Sequence, residues 1–117
     1  MPEDGLTRVR NACLDFPEAV EKETWDAPTF RVTDKIFVKV GGGERQTIWC
    51  KARPGVQEML VQADPERFFR PPYVGHRGWL GVRLDRGLDR DELAGIAEDA
   101  YAEVAPPKLV DSARLAD

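Results

Sequence analysis

The segment Lys35-Ile36-Phe37-Val38-Lys39-Val40 narrows the possible folds of this chain more than any other. Ile36, Val38 and Val40 fall on one parity, and Lys35, Phe37 and Lys39 on the other. That two-residue period belongs to a strand packed on one side and wet on the other, as in an antiparallel sheet. Punctuation on both sides agrees. Thr33-Asp34 is a tight turn back to a strand at Thr29–Val32, and Gly41-Gly42-Gly43 is a loop able to take positive φ before a return strand at Gln46–Lys51.

Other segments add helices around this sheet. Leu6, Val9 and Cys13, with Ala12 beside them, recur at helical spacing over Gly5–Leu14, with Asp4 as N-cap and Phe16-Pro17 as the stop. Ala19–Thr24 alternates weakly and reads as a half-exposed first strand, followed by a connection at Trp25-Asp26-Ala27-Pro28. Arg53-Pro54-Gly55 opens a second helix whose apolar face is Val56, Met59, Leu60 and Ala63. Tyr73-Val74 and Trp79–Leu84 are expected to form a last hairpin around Gly75-His76-Arg77-Gly78. Asp89 and Glu92 make a capping-box variant for a final helix in which Leu93, Ile96, Ala97, Ala100, Tyr101 and Val104 keep helical spacing until Pro106-Pro107. The expectation is one α+β domain over residues 1–117, with an antiparallel sheet and a loose tail at 110–117. Trp79 and Tyr101 are expected in its core.

At 117 residues, a chain can bury enough surface to dispense with a metal or disulfide staple. Cys13 and Cys50 are too few and too far apart for a disulfide framework or zinc knuckle, and read as small buried thiols. The first residues are polar, unlike a secretory leader, and no apolar run reaches the ~20 residues of a membrane span. A cytoplasmic protein without membrane attachment is expected, with a monomer favoured.

The chemistry-bearing residues are sparse. The one histidine, His76, lies in a glycine-bounded loop, and the one serine, Ser112, lies in the tail, so no nucleophilic triad is at hand. Nothing reads as a zinc set, and Gly41-Gly42-Gly43 lacks the ending of a phosphate loop. The carboxylates Glu3, Asp4, Asp15, Glu18, Glu21 and Glu23 read as a solvated acidic face rather than a cation site. No catalytic residue, cofactor or metal is assigned. Charge is distributed unevenly. Residues 31–90 carry 12 basic and 7 acidic side chains, whereas residues 1–30 carry 3 against 7 and residues 91–117 carry 2 against 7, within a net charge of −4. Such asymmetry fits a locally basic binding face, and equally fits solvated helices around a sheet.

Several blocks resemble the MmcQ/YjbR family of small bacterial proteins. They are Phe69-Arg70-Pro71-Pro72-Tyr73-Val74-Gly75, Gly78-Trp79-Leu80-Gly81-Val82-Arg83-Leu84, and Tyr101 through Leu109. Phe16-Pro17-Glu18-Ala19, Trp25 through Phe30 and Lys35-Ile36-Phe37 agree in order. The resemblance implies a frataxin-like α+β fold, called double-winged, with an antiparallel sheet and helices packed on one face, and a DNA-binding label; it supplies no catalytic residues. Together with the basic middle segment, it leads to a non-catalytic protein binding duplex DNA through a basic hairpin face. The expected contacts are Lys39, Arg45, Lys51, Arg53, Arg70, Arg77 and Arg83. The alternative is a small-molecule (drug or metabolite) site in an aromatic cleft of Trp25, Tyr73, His76 and Trp79.

Overall fold

Strands that alternate and helices with one apolar stripe have to bury those faces against each other. The computed structural model describes residues 5–24, 27–41 and 47–115, with side chains described to residue 112. Its elements in chain order are α1 (Gly5–Leu14), β1 (Val20–Thr24), β2 (Ala27–Val32), β3 (Lys35–Val40), β4 (Thr47–Cys50), α2 (Val56–Ala63), β5 (Phe68–Phe69), β6 (Leu80–Arg83), α3 (Arg90–Val104) and α4 (Pro107–Leu115). A single 3₁₀ turn occupies Gly75–Arg77. The sheet order is β1-β2-β3-β4-β6-β5, with antiparallel pairing throughout. The fold is α+β, as the sequence implied. Among the described residues, no helix is long and apolar enough to cross a membrane.

Pairing assigns each strand residue to a face. Phe30, Val38, Cys50 and Leu80 form one cross-strand row, and Val40, Ile48, Val82 and Phe68 the next. All are buried, and they join Val9 and Cys13 of α1 and Leu93, Ala97, Ala100 and Tyr101 of α3 in one core, with Leu60 and Val61 of α2 packed against it. This is the inner face. At the β2–β3 turn, Thr33 and Asp34 take φ of 50° and 64°. Two consecutive positive φ values suit the right-handed twist of the strands they join.

Phe37 departs from the simple alternation. Phe30 pairs with Val38, but Arg31 pairs with Ile36, so Phe37 is the extra residue of a β-bulge. Two neighbours, Phe37 and Val38, are therefore both fully buried, and Phe37 does not share a wet face with Lys35 and Lys39. Its ring meets Tyr101 edge-on at 5.6 Å, while Phe16 stacks on Tyr101 at 4.8 Å.

Four further expectations are corrected. The partner of β6 is Phe68–Phe69, not Tyr73-Val74. Pro71 and Pro72 lack the N–H groups a ladder needs, and the chain turns there instead. Val74 N–H donates to the Pro72 carbonyl at 2.7 Å around Tyr73 at φ 67°, a three-residue γ-turn, and the 3₁₀ turn follows. In α2, Met59 and Ala63 are exposed, and the inward stripe is Gln57, Leu60 and Val61. The Gln57 amide donates to the carbonyls of Gly75, at 2.8 Å, and of Trp79, and this rotates the helix. Residues 110–115 of the expected loose tail are helical as part of α4, and residues 116–117 lie outside the described residues. Pro106 holds Ala105 in an extended conformation that ends α3, and Pro107 then sits at the first helical position, where a missing N–H costs nothing. Trp79 is 9% exposed, yet it lies apart from the contiguous core. Its position relative to Gly81 puts it on the opposite side of the sheet.

Candidate nucleic-acid interface

The outer face is read from the same pairing. Thr29, Lys39, Trp49, Gly81 and Phe69 stand opposite one another across five strands, and Thr47 faces Arg83 in the adjoining row. Towards β1, Lys22 faces Thr29 and Val20 faces Arg31. Among the described residues, the strand positions on this face include no Asp or Glu. Its cations are Lys22, Arg31, Lys39 and Arg83, with Lys51 just beyond the end of β4.

Three of these cations lie over aromatic rings. Lys39 Nζ is 5.4 Å from the Trp49 ring centre, Lys51 Nζ is 5.3 Å from that of Trp79, and the Arg83 guanidinium is 4.7 Å from that of Phe69. An ammonium or guanidinium in that position gains about 0.5–1 kcal/mol from the ring quadrupole at an exposed site. Among the described residues, Lys39, Lys51 and Arg83 have no carboxylate partner. Arg83 also donates to the carbonyls of Pro65 and Glu66 at 3.1 and 3.3 Å, which fixes its position. Arg31 is more tightly committed, donating to Thr29 Oγ1 and Thr24 Oγ1 and lying 3.4 Å from Asp34.

Gly81 makes the centre of the row possible. A Cβ there would stand 2.5 Å from two carbons of the Phe69 ring. The ring therefore lies directly over the β6 backbone. Trp49, Gly81 and Phe69 form a low apolar floor with basic groups above and beside it.

Of the seven basic residues expected from the sequence, the structure brings Lys39 and Arg83 to this face and Lys51 to its edge, where Lys51 also lines a groove with Glu58 and Glu103. Arg53 is on the helix side, 3.9 Å from Asp99. Arg70 is exposed and packs along Gly75, and Arg77 is exposed in the 3₁₀ turn. Arg45 lies outside the described residues, as does Trp25. The expected aromatic cleft is not assembled by the described residues. Tyr73 is 86% exposed and Trp79 lies beneath Lys51. A groove of about 350 Å³ contains His76, Arg77, Lys51, Glu58 and Glu103, but neither Tyr73 nor Trp79 lines it. A larger groove of about 570 Å³ runs between α1 and α3 past Asp15 and Leu93, where Arg8 donates to the Leu88 carbonyl. It contains none of the expected nucleic-acid contacts and none of the expected aromatic-cleft residues.

Trp49, Phe69, Gly81, Arg31 and Lys22 were missed as site residues. Alternation in Thr47-Ile48-Trp49-Cys50 put Trp49 opposite in parity to buried Ile48 and Cys50, and that signal could have found it. Among the described residues, no group of three His, Cys, Asp or Glu side chains could hold a metal ion. Cys13 and Cys50 are buried free thiols.

These features define a class: a small α+β domain whose antiparallel sheet is covered by helices on one face and carries cations on aromatic rings on the other. The chain belongs to the YjbR family, whose model matches residues 14–103. It is similar in structure to Deinococcus radiodurans protein DR2400, which has a DUF419 domain. The TM-score to that crystal structure is 0.76 at 19% identity, covering 95% of this chain and 86% of that one. No curated protein matches the chain.

Proposed function

We propose that this is a non-catalytic binding protein that holds nucleic acid on the outer face of its sheet. One observation carries the reading: a strand surface without a carboxylate, bearing Lys39, Lys51 and Arg83 on three aromatic rings, in a chain whose net charge is −4. Segregating positive charge onto one face of an acidic protein serves attraction of a polyanion more directly than it serves stability, because exposed charges contribute little to folding. The contact surface is the sheet itself rather than the hairpin tips. Phosphates would engage the basic groups, and the aromatic floor would lie beneath them.

The test is fluorescence anisotropy with labelled oligonucleotides across a salt series. Binding should weaken with salt, and the double variant Lys39→Gln, Lys51→Gln should bind less tightly. Two lost phosphate contacts should reduce the slope of log affinity against log salt by roughly 1.4–1.8. No binding at low salt, where attraction is least screened, overturns the proposal.

The groove beside the 3₁₀ turn favours a second reading, a small ligand carrying both charges. Lys51, His76 and Arg77 there oppose Glu58 and Glu103, and Gln57 fixes the turn from beneath. Calorimetric titration with Arg77→Ala as control would separate this from binding at the sheet.

A further inference from the structure

We infer that the nucleic acid held by the outer face is single-stranded, with an unpaired base replacing Lys39 Nζ on the Trp49 ring. This rests on the nucleic-acid reading above and adds the form of the ligand. The observation behind it is the presence of rings where phosphate binding alone needs only charge. Trp49 and Phe69 are half-buried, and each has a cation over its face. They flank Gly81 in one cross-strand row, on strands two positions apart, about 10 Å at the usual strand spacing. The Phe69 ring occupies the space that a side chain at Gly81 would fill.

A duplex cannot use such a floor. Its base faces are occupied by neighbouring base pairs, and it presents only phosphates and groove edges to the sheet. A single strand presents both phosphates and free base faces, and stacking on aromatic side chains is the usual way such strands are held. The cations complete the arrangement. Lys39 has a flexible four-carbon stem and no carboxylate partner among the described residues. When a base displaces its ammonium from Trp49, that ammonium is free to meet the adjoining phosphate. The cation–ring contact is exchanged for a base–ring contact and an ion pair, with no positive charge left behind. Arg83 is held by two backbone carbonyls, so it stays on Phe69, and Trp49 is the ring that becomes accessible.

The experiment compares a mixed-sequence single strand of about 12 nucleotides, within the range of site sizes for such binding, with the duplex of equal length. Wild type, Trp49→Leu and Lys39→Gln are titrated, and intrinsic tryptophan fluorescence is read alongside anisotropy. The expected result is tighter binding of the single strand, with quenching that Trp49→Leu reduces. Trp49→Leu should weaken single-strand binding roughly 5- to 150-fold, the range of one lost stacking contact, and leave duplex binding unchanged. Lys39→Gln keeps the ring, so it should lower the single-strand salt slope by roughly 0.7 while retaining quenching. Circular dichroism confirms that each variant is folded, and Lys39→Gln keeps the test valid if Trp49→Leu is not. Equal binding of duplex and single strand, with no effect of Trp49→Leu and no quenching, overturns the single-strand inference and leaves the nucleic-acid proposal standing. Absence of binding to either at low salt overturns both.

Discussion

Tyr101, near the end of α3, donates its hydroxyl proton to the carbonyl of Pro17, just after α1, at 2.8 Å across 84 positions of sequence. The bond ties the last long helix to the chain leaving the first. The same ring stacks on Phe16 and meets Phe37 edge-on. Replacing Tyr101 with Phe should keep the ring contacts and lose only the hydrogen bond, costing about 1 kcal/mol. Tyr101→Ala should cost about 3–5 kcal/mol through loss of the buried ring. Denaturant midpoints for the two variants check both values, and equal losses would show that the ring contacts contribute nothing.

Gly81→Ala tests the aromatic floor directly. The new methyl group would meet the Phe69 ring, which must swing away or distort β6. A loss of roughly 1–3 kcal/mol is expected, the usual cost of overfilling a packed site. In a Phe69→Leu background the same change should cost clearly less. A double-mutant cycle measures the difference, and additive effects would mean that ring and glycine are not in contact.

Gln57 is a polar residue at 3% exposure, and its amide supplies donors to two backbone carbonyls. Gln57→Met preserves length and removes both donors. It should cost about 1–3 kcal/mol, chiefly through the Trp79 carbonyl, because the Gly75 carbonyl still accepts from Gly78 N–H at 3.0 Å. Hydrogen exchange should show the loss concentrated around Gly75–Trp79 if the amide acts locally; uniform acceleration across the protein would contradict that placement.

Stability should decline in alkali. Burial, followed by the charges of Cys50 and Glu21, pushes the Cys13 thiol far above its ordinary range. Burial, followed by Asp99, pushes Cys50 up to about 12. Burial, with Glu18 as a smaller cause, raises the Tyr101 phenol. All three keep their protons in the folded chain at pH values where the unfolded chain has released them. Their contribution is therefore complete below the ordinary thiol value of about 8.5 and is lost as pH rises through and beyond it. Unfolding free energy should fall by up to about 1.4 kcal/mol per pH unit for each group titrating in the unfolded chain only. Urea titrations between neutral and alkaline pH measure this, and Cys50→Ala should flatten the slope. A slope that is unchanged in Cys50→Ala would assign the decline to other groups.

Much of the frame was legible because it is written locally. Gly5–Leu14, Lys35–Val40 and the Asp89 cap, which accepts from Glu92 N–H at 2.8 Å, match their sequence signals. In each case the deciding contacts lie within a few residues. What escaped depends on distant partners. Nothing inside Lys35–Val40 announces that Phe37 is the bulged residue; Phe30 and Tyr101 decide that. Gln57 looks like a surface residue until the carbonyls of Gly75 and Trp79 are placed beside it. The candidate site followed the same division. Lys39, Lys51 and Arg83 were visible as basic residues, but their rings were not, because Trp49 meets Lys39, and Phe69 meets Gly81 and Arg83, only through strand pairing. Gly75 and Gly78 give residues 73–79 the look of a hairpin loop, but Pro71 and Pro72 before it cannot extend a ladder.

The strand order also governs how the chain must be made. β5 emerges from synthesis before β6, yet β6 lies between β5 and β4 in the finished sheet. A chain grown only as far as Trp79 therefore has an unpaired β4 edge carrying Ile48, Trp49 and Cys50, and a β5 with nothing to join. An uncovered strand edge of that composition invites pairing with another nascent chain. The four residues Leu80–Arg83 close both gaps at once. The short interval between their synthesis and that of β4 limits the time during which growing copies can mispair.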